Sequence, residues 1–278
     1  MKKESSIDFI ERKGYSQHRK NYLATTNYSK IITKKTDVTM KNFYIILIMS
    51  LSLSACISNK TQPEDKRVEN LLSQMTLREK VAQLNLITAL DDFNKPKEDV
   101  IEKVKNGEVG HILKSNGVKT NRQLQEIAVN ESRLGIPILF HEDVIHGYKT
   151  TFPGPMAEAA SWNLERIEQT AAVAAKEASA SGIQLTYAPM VDITRDPRWG
   201  RIVEGAGEDP YLASLIAEAR VKGFQGNNLA DSTTLMACVK HFLGYGDATG
   251  GVDYNIGDFS EREIRELLKQ QLMPALAV

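Results

Sequence analysis

The chain has 278 residues, enough for one large domain or two small ones. Hydrophobic residues make up 42% and charged residues 25%, the composition of an ordinary soluble globular protein. The 35 Lys+Arg balance the 35 Asp+Glu, so the basic excess that marks nucleic-acid binding is missing and a neutral substrate is compatible. Two cysteines, Cys56 and Cys238, cannot build a disulfide framework.

Residues 1–39 are polar, rich in Lys, Ser and Thr, and carry no apolar periodicity. They are expected to be a disordered or non-native extension, with Met40 as the true start. Residues 43–55, FYIILIMSLSLSA, form an apolar run shorter than the about 20 residues that a membrane-spanning helix needs. The run follows Met40-Lys41 and ends in small residues before Cys56, the pattern of a signal peptide. Leu53-Ser54-Ala55-Cys56 also resembles the bacterial lipobox. That resemblance implies cleavage before Cys56 and a lipid on its sulfur, so residues 40–56 read as a lipoprotein signal. Ile57, in place of Asp, favours the outer membrane over inner-membrane retention. An uncleaved anchor or a buried helix is the alternative. Residues 57–66, ISNKTQPEDK, read as a tether.

From residue 67 the pattern alternates helix and strand. Val68, Leu71, Leu72 and Met75 predict one apolar helical face. Thr76-Leu77-Arg78-Glu79 is a capping box that opens a further helix. Gly110–Leu113 reads as a short strand. Thr120 is placed to cap a helix running to about Leu134, with Gly135 as its stop. Residues 136–140, IPILF, read as a buried strand. Asn163 to Ser181 is Ala-rich and helical, closed by Gly182. Gln184–Ala188 reads as a strand, Pro210–Gln225 as a helix closed by Gly226, and Leu235–Val239 as a strand. Cys238, inside that apolar run, reads as a small buried hydrophobe. Ser260-Glu261-Arg262-Glu263 is a second capping box, whose helix ends near Pro274.

Strands separated by helices imply βα units and a parallel α/β sheet. A doubly wound sheet and a (β/α)8 barrel compete. Gly205-Ala206-Gly207 lacks the full dinucleotide spacing, and no glycine-rich phosphate loop follows any strand. Polar residues instead gather just after strands. His141, Glu142, Asp143 and His146 follow Phe140; Asp192, Arg195, Asp196, Arg198 and Arg201 follow the strand at 184–188; Lys240 and His241 follow Val239. Strand ends share one face of a barrel, where active sites lie, so the barrel is favoured. Four or five strands are legible where eight are needed, so the barrel is incomplete.

Three segments carry chemistry. Lys240-His241 with its following glycines offers donors and an acceptor suited to a polyhydroxylated ligand, or else a salt-bridged Lys beside a core-edge His. In Asp192–Arg201, an arginine fork can clamp vicinal hydroxyls, while Arg195, Asp196 and Arg198 read as internal pairs. Trp199 reads as a sugar platform or a packed loop aromatic. Asp143 can cap the next element or accept from two hydroxyls at once. The five-residue spacing of His141 and His146 does not match a helical zinc site.

These segments, in this order, resemble the N-terminal barrel domain of glycoside hydrolase family 3 over residues 67–278. The resemblance implies that Asp143, Arg201, Lys240 and His241 bind hydroxyls of the non-reducing-end sugar. Gly250-Gly251-Val252-Asp253-Tyr254-Asn255 looks like the β-glucosidase branch, and Tyr245 stands where the β-N-acetylglucosaminidase branch usually has His. The family is a retaining one, which needs two carboxyl groups about 5–5.5 Å apart. Its nucleophile is an Asp in a Ser-Asp-Trp-like context, which this sequence lacks; Asp247, Asp253 and Asp258 stand in other contexts. The expectation is therefore a truncated enzyme, inactive by itself, whose nucleophile and acid/base lie beyond Val278. A β-xylosidase of the same family and a non-catalytic carbohydrate-binding lipoprotein are the alternatives. The implied partners are an oligosaccharide or an aryl or alkyl β-glucoside, with membrane contact only through a lipid anchor on the periplasmic side of the outer membrane. No metal or organic cofactor is implied.

Overall fold

A computed structural model describes residues 63–89, 97–115 and 117–269. The chain divides into two compact units, residues 1–70 and 71–278. Of the first unit, residues 63–70 are described and are helical. Cys56, the apolar run before it and most of the tether lie outside the described residues.

Helix α1 (Pro63–Gln74) uses its expected apolar stripe only in part: Met75, at its end, is buried, whereas Val68 and Leu72 are exposed. Helix α2 (Leu77–Ala82) opens on the predicted capping box, with the Thr76 side chain accepting from the Glu79 N–H and Glu79 reaching back to the Thr76 N–H. Arg133 donates twice to Glu79 and holds its carboxyl down at about 2.

Five strands follow, β1 (Leu86–Thr88), β2 (His111–Leu113), β3 (Leu139–Glu142), β4 (Leu185–Thr186) and β5 (Met236–Ala237). All neighbours are parallel and the spatial order is β1-β2-β3-β4-β5. A doubly wound sheet reverses its strand order at a switch point, whereas strands in chain order describe the arc of a barrel. The fold is thus TIM-barrel-like, with five of its strands among the described residues.

Between the strands lie α3 (Glu98–Lys105), α4 (Val118–Glu131), α5 (Pro155–Ala159), α6 (Leu164–Ala180) and α7 (Pro210–Gln225), and α8 (Glu261–Leu267) follows β5. Ile112 and Phe140 point from the sheet into one core with Val100 and Val104 of α3, Leu124 and Ile127 of α4, Ala171, Ala174 and Ala178 of α6, and Phe224 of α7. By strand alternation, Leu113, His141, Leu185 and Met236, which are partners in register, face the opposite side, the barrel lumen. The same alternation carries Asp143, Tyr187, Cys238 and Lys240 to the lumen face.

Several boundaries differ from expectation. Gly117, not Thr120, stands at the cap of α4. Ladder pairing of β3 begins at Leu139 because Pro137 has no N–H and the Ile138 N–H is taken by the Gln125 side chain. His141 and Glu142 are strand residues rather than loop residues. The strands at 184–188 and 235–239 pair over only two residues each. The end of the last helix near Pro274 lies outside the described residues. Strand β1 and helix α3 were not anticipated.

Helices α6 and α7 pack closely because small residues face each other. A Cβ at Gly223 would stand 2.3 Å from the Glu168 carbonyl oxygen and 2.7 Å from the Ala171 Cβ. Asn163 caps α6 and Asp209 caps α7, with Pro210 in the first turn. Beside this seam Glu158 of α5 and Arg220 of α7 form a buried ion pair at 2.5 Å, with side chains 6% and 5% exposed. Thr170 of α6 donates to the same carboxylate at 2.8 Å.

Candidate functional site

Each candidate residue is set by the end of a strand or by a loop folded over it. Asp143 immediately follows β3. The next two residues are tethered from behind: the Val144 N–H donates to the buried Thr186 hydroxyl at 3.0 Å, and the second arm of Arg220 donates to the Ile145 carbonyl. Lys240 continues the line of β5 through a parallel bridge to Met190, and the Val191 N–H donates to its carbonyl at 2.6 Å. The Lys240 ammonium reaches across to Asp143, Nζ to Oδ1 2.8 Å. Lys240 is nearly enclosed, its side chain 13% exposed, while that of Asp143 is 38% exposed. The carboxylate therefore keeps lone pairs open to an incoming group.

The peptide bond between Lys240 and His241 is cis. The His241 ring lies against Asp192, with Nδ1 2.7 Å from Oδ2, and the His241 backbone N–H donates to the same oxygen at 3.0 Å. On its other side Nε2 is 3.4 Å from Nη1 of Arg201. Arg201 is held by a fork onto Glu204, with contacts of 2.6 and 2.8 Å. That bidentate pair lowers the Glu204 carboxyl and raises the Arg201 guanidinium from their ordinary values. Two of the guanidinium nitrogens are thereby spent on Glu204, and Nη1 is left facing His241.

Tyr245 braces these groups. Its ring meets His241 edge-on at 4.5 Å between centroids, and the Arg201 guanidinium lies 5.5 Å from it. Burial, and then the neighbouring Asp253 carboxylate, push the Tyr245 phenol up to about 12. Trp199 packs edge-on to Tyr245 and donates to Asp253 at 2.9 Å. Trp199 is buried, so of its two expected roles the packed aromatic is the one observed. The loop after Lys240-His241 folds onto the Asp192 segment so tightly that a Cβ at Gly246 would meet the Ile193 carbonyl at 2.4 Å.

The structure thus brings Asp143 to Lys240, and Arg201 to His241, and the second pair faces a mouth that the first does not line. Arg201, His241, Tyr245 and the exposed Phe242 and Tyr254 line a cavity of about 530 Å³. A larger hollow, of about 710 Å³, lies between the Ile193–Arg195 segment and α8 and contains none of the four residues. As anticipated, Arg198 pairs with Asp196 inside the loop, whereas Arg195 pairs outside it, with Asp247 and Glu263. Cys238 is half-buried rather than enclosed, since its strand turns it toward the lumen.

The sequence alone marks Asp192 only as one of several polar residues after a strand, gives Glu204 no role, and does not show the lumen chain in which His111 contacts His141 at 2.9 Å and His141 contacts the Tyr187 hydroxyl at 2.7 Å. The signal for Asp192 and Glu204 was their place beside Arg201 in a loop following a strand. Nothing in the spacing of His111, His141 and Tyr187 marks them before the strand register is known.

Chemically, Lys240 and Arg201 supply donors, Asp143 supplies acceptors and a neutral His241 supplies one of each, groups suited to vicinal hydroxyls. The Asp residues on the following loop are engaged elsewhere or turned away: Asp247 with Arg195, Asp253 with Trp199, and Asp258 exposed.

A periplasmic beta-glucosidase of Salmonella typhimurium is 43% identical over 203 residues, which is 73% of this chain and 26% of that protein. A putative beta-xylosidase of Formosa agariphila is 34% identical over 219 residues, 72% of this chain and 29% of its own. The crystal structure of a beta-glucosidase from Listeria innocua in complex with isofagomine superposes with a TM-score of 0.66 at 40% identity, covering 76% of this chain and 30% of that one. The chain therefore spans under a third of the length of these relatives. The family model for the glycosyl hydrolase family 3 N terminal domain matches residues 76–274, and the chain belongs to that family.

Proposed function

We propose that this chain supplies the sugar-binding part of an exo-acting, retaining β-glucosidase that removes terminal non-reducing β-D-glucosyl residues. The observation that supports this best is that Lys240 reaches Asp143 while the next residue, His241, meets Arg201, so two polar pairs stand side by side just beyond β5. In this reading the four side chains hold the hydroxyls of one terminal sugar. The two carboxyl groups that act on the glycosidic bond, about 5–5.5 Å apart in a retaining enzyme, come from residues outside these 278. Residues 67–278 are then part of the family's N-terminal domain. Oligosaccharides and aryl or alkyl β-glucosides are the proposed substrates.

The test compares aryl β-glucoside and aryl β-xyloside hydrolysis by the 278-residue chain and by the product of its gene read through any in-frame continuation. Glucoside turnover by the longer product alone is expected. Turnover by the 278-residue chain at a comparable rate would overturn the placement of the carboxyl groups. A preference for the xyloside would select the second reading, which the beta-xylosidase relative supports. Glucose binding with no turnover by either product would select a carbohydrate-binding lipoprotein.

Delivery to the cell envelope forms part of the same proposal, with Cys56 as the lipidated residue after cleavage immediately before it. The relative in Salmonella typhimurium is named as periplasmic, which supports an envelope location. Incorporation of labelled palmitate that is abolished by Cys56→Ser is the expected result. Equal labelling of both forms would remove Cys56 from the proposal.

A further inference from the structure

We propose that Asp192 is a positioning residue that fixes His241 as the tautomer with hydrogen on Nδ1, so that Nε2 faces the mouth as a hydrogen-bond acceptor. Where a sugar is concerned, the inference rests on the reading of the mouth as a glucose site. The tautomer itself does not.

The argument works inward from both ends of the imidazole. The Asp192 side chain is fully buried, and its Oδ2 receives the His241 backbone N–H at 3.0 Å. That donor has no alternative role, so Oδ2 is an acceptor. The Nδ1 atom, 2.7 Å from the same oxygen, must therefore carry a hydrogen. At the other end Nε2 stands 3.4 Å from Nη1 of Arg201, and a guanidinium only donates. A hydrogen on Nε2 would point one donor at another. Both contacts are satisfied by one tautomer alone. The edge of Tyr245 at 4.5 Å holds the ring plane while they form. Among the described residues, the hydrogen bonds of Asp192 fall on Oδ2, while Oδ1 is buried without a partner, so the residue commits its bonding capacity to His241.

The consequence for recognition is directional. The Arg201–His241 contact is long and therefore weak, and a hydroxyl entering the mouth can replace it. Lys240 and Arg201 can only donate, whereas His241 in this tautomer can only accept at Nε2. A group lying between Arg201 and His241 must accept from the guanidinium and donate to the imidazole. A hydroxyl does both. Fluorine accepts weakly and cannot donate, so the matching monofluoro glucose should bind at least about tenfold more weakly.

Long-range proton–nitrogen spectra of the nitrogen-labelled 278-residue chain read the tautomer directly. The His241 signals are assigned by their loss in His241→Gln. Protonated Nδ1 and bare Nε2 are expected in the unmodified chain. Asp192→Asn should keep that pattern, because one amide oxygen can still accept both hydrogens. Asp192→Ala should move hydrogen onto Nε2. A His241 that carries its hydrogen on Nε2 in the unmodified chain, or that is unchanged in a folded Asp192→Ala, would overturn the proposal. If Asp192→Ala does not fold, the unmodified chain and Asp192→Asn still decide the matter. Glucose titrated into the same sample should move the Nε2 resonance. A fixed Nε2 resonance with the expected tautomer would count against the sugar reading and leave the tautomer standing.

Discussion

Replacing Arg220 with Met tests how much of the site is held from outside the barrel. Arg220 is buried between helices and serves two partners, the Glu158 carboxylate and the Ile145 carbonyl. Arg220→Met leaves Glu158 buried with the Thr170 hydroxyl as its remaining bond in this network. Stranding one member of a buried ion pair costs about 3–5 kcal/mol, because its charge loses compensation without regaining water. Pairing Arg220→Met with Glu158→Leu removes the stranded charge. What then remains is the Ile145 carbonyl without its donor, about 1–3 kcal/mol, since the Thr170 hydroxyl keeps the Ile167 carbonyl as its acceptor at 2.9 Å. The double variant should therefore be more stable than the single, although it carries one more substitution. Urea unfolding of the 278-residue chain, compared by midpoint at unchanged slope, measures both losses. A single variant that loses under about 1 kcal/mol, or a double variant at least as unstable as the single, would refute the argument that this pair is compensated in place. Arg220 grips the residue two beyond Asp143, so the single variant should also loosen the Asp143–Lys240 contact.

Burial, reinforced by the neighbouring His111, holds the His141 imidazole down at about 4 against its ordinary 6.5. Between those values the unfolded chain binds more protons than the folded one, so the contribution is intact above 6.5 and is lost as pH falls through about 4. Unfolding free energies measured from pH 7.5 to pH 4 should fall more steeply for the unmodified chain than for His141→Gln, and parallel curves would contradict the assignment. Gly223→Ala should destabilise: the added Cβ meets backbone at 2.3 Å, and overpacking of about 1–3 kcal/mol exceeds the roughly 1 kcal/mol that Ala gains in a helix. A lowered thermal midpoint is the readout, and a raised one would show that α6 and α7 can separate freely. Glu204→Gln breaks the fork on Arg201 and should weaken glucose binding about tenfold by calorimetry. Stability should change by less than about 1 kcal/mol, since both side chains are about a quarter exposed.

How legible each part was depends on the range of the physics behind it. Both capping boxes were found because a cap is complete within four residues, Thr76 to Glu79 and Ser260 to Glu263. Helices α6 and α7 were placed almost to the residue, because Asn163 and Asp209 cap them and Gly182 and Gly226 end them. Strand β1 escaped because three residues at the edge of a sheet have no measurable period, and two of them are exposed. Helix α3 escaped because its two buried valines sit among five charged residues. The strand at 136–140 was placed from apolarity, which reports burial; pairing depends on free N–H groups, and Pro137 and the Gln125 side chain removed them from its first residues.

The site divides along the same line. Asp143, Lys240 and His241 stand out as polar side chains just past apolar runs, whereas Arg201 lies in a polar loop and was singled out only by the family resemblance. Asp192, Glu204 and Thr186 do not differ in composition from dozens of other polar residues. Their importance lies in which hydrogen each accepts, and that follows only from register. Thr186 becomes the acceptor for the Val144 N–H because β3 and β4 pair Glu142 with Thr186. Asp192 becomes the acceptor for His241 because Met190 pairs with Lys240. A one-residue slip of β5 would turn Lys240 out of the lumen and remove His241 from Asp192, without altering the apolar pattern that predicted the strand. The groups that face a ligand are therefore set by the sequence near them, and the polarity they present to it is set by the sheet.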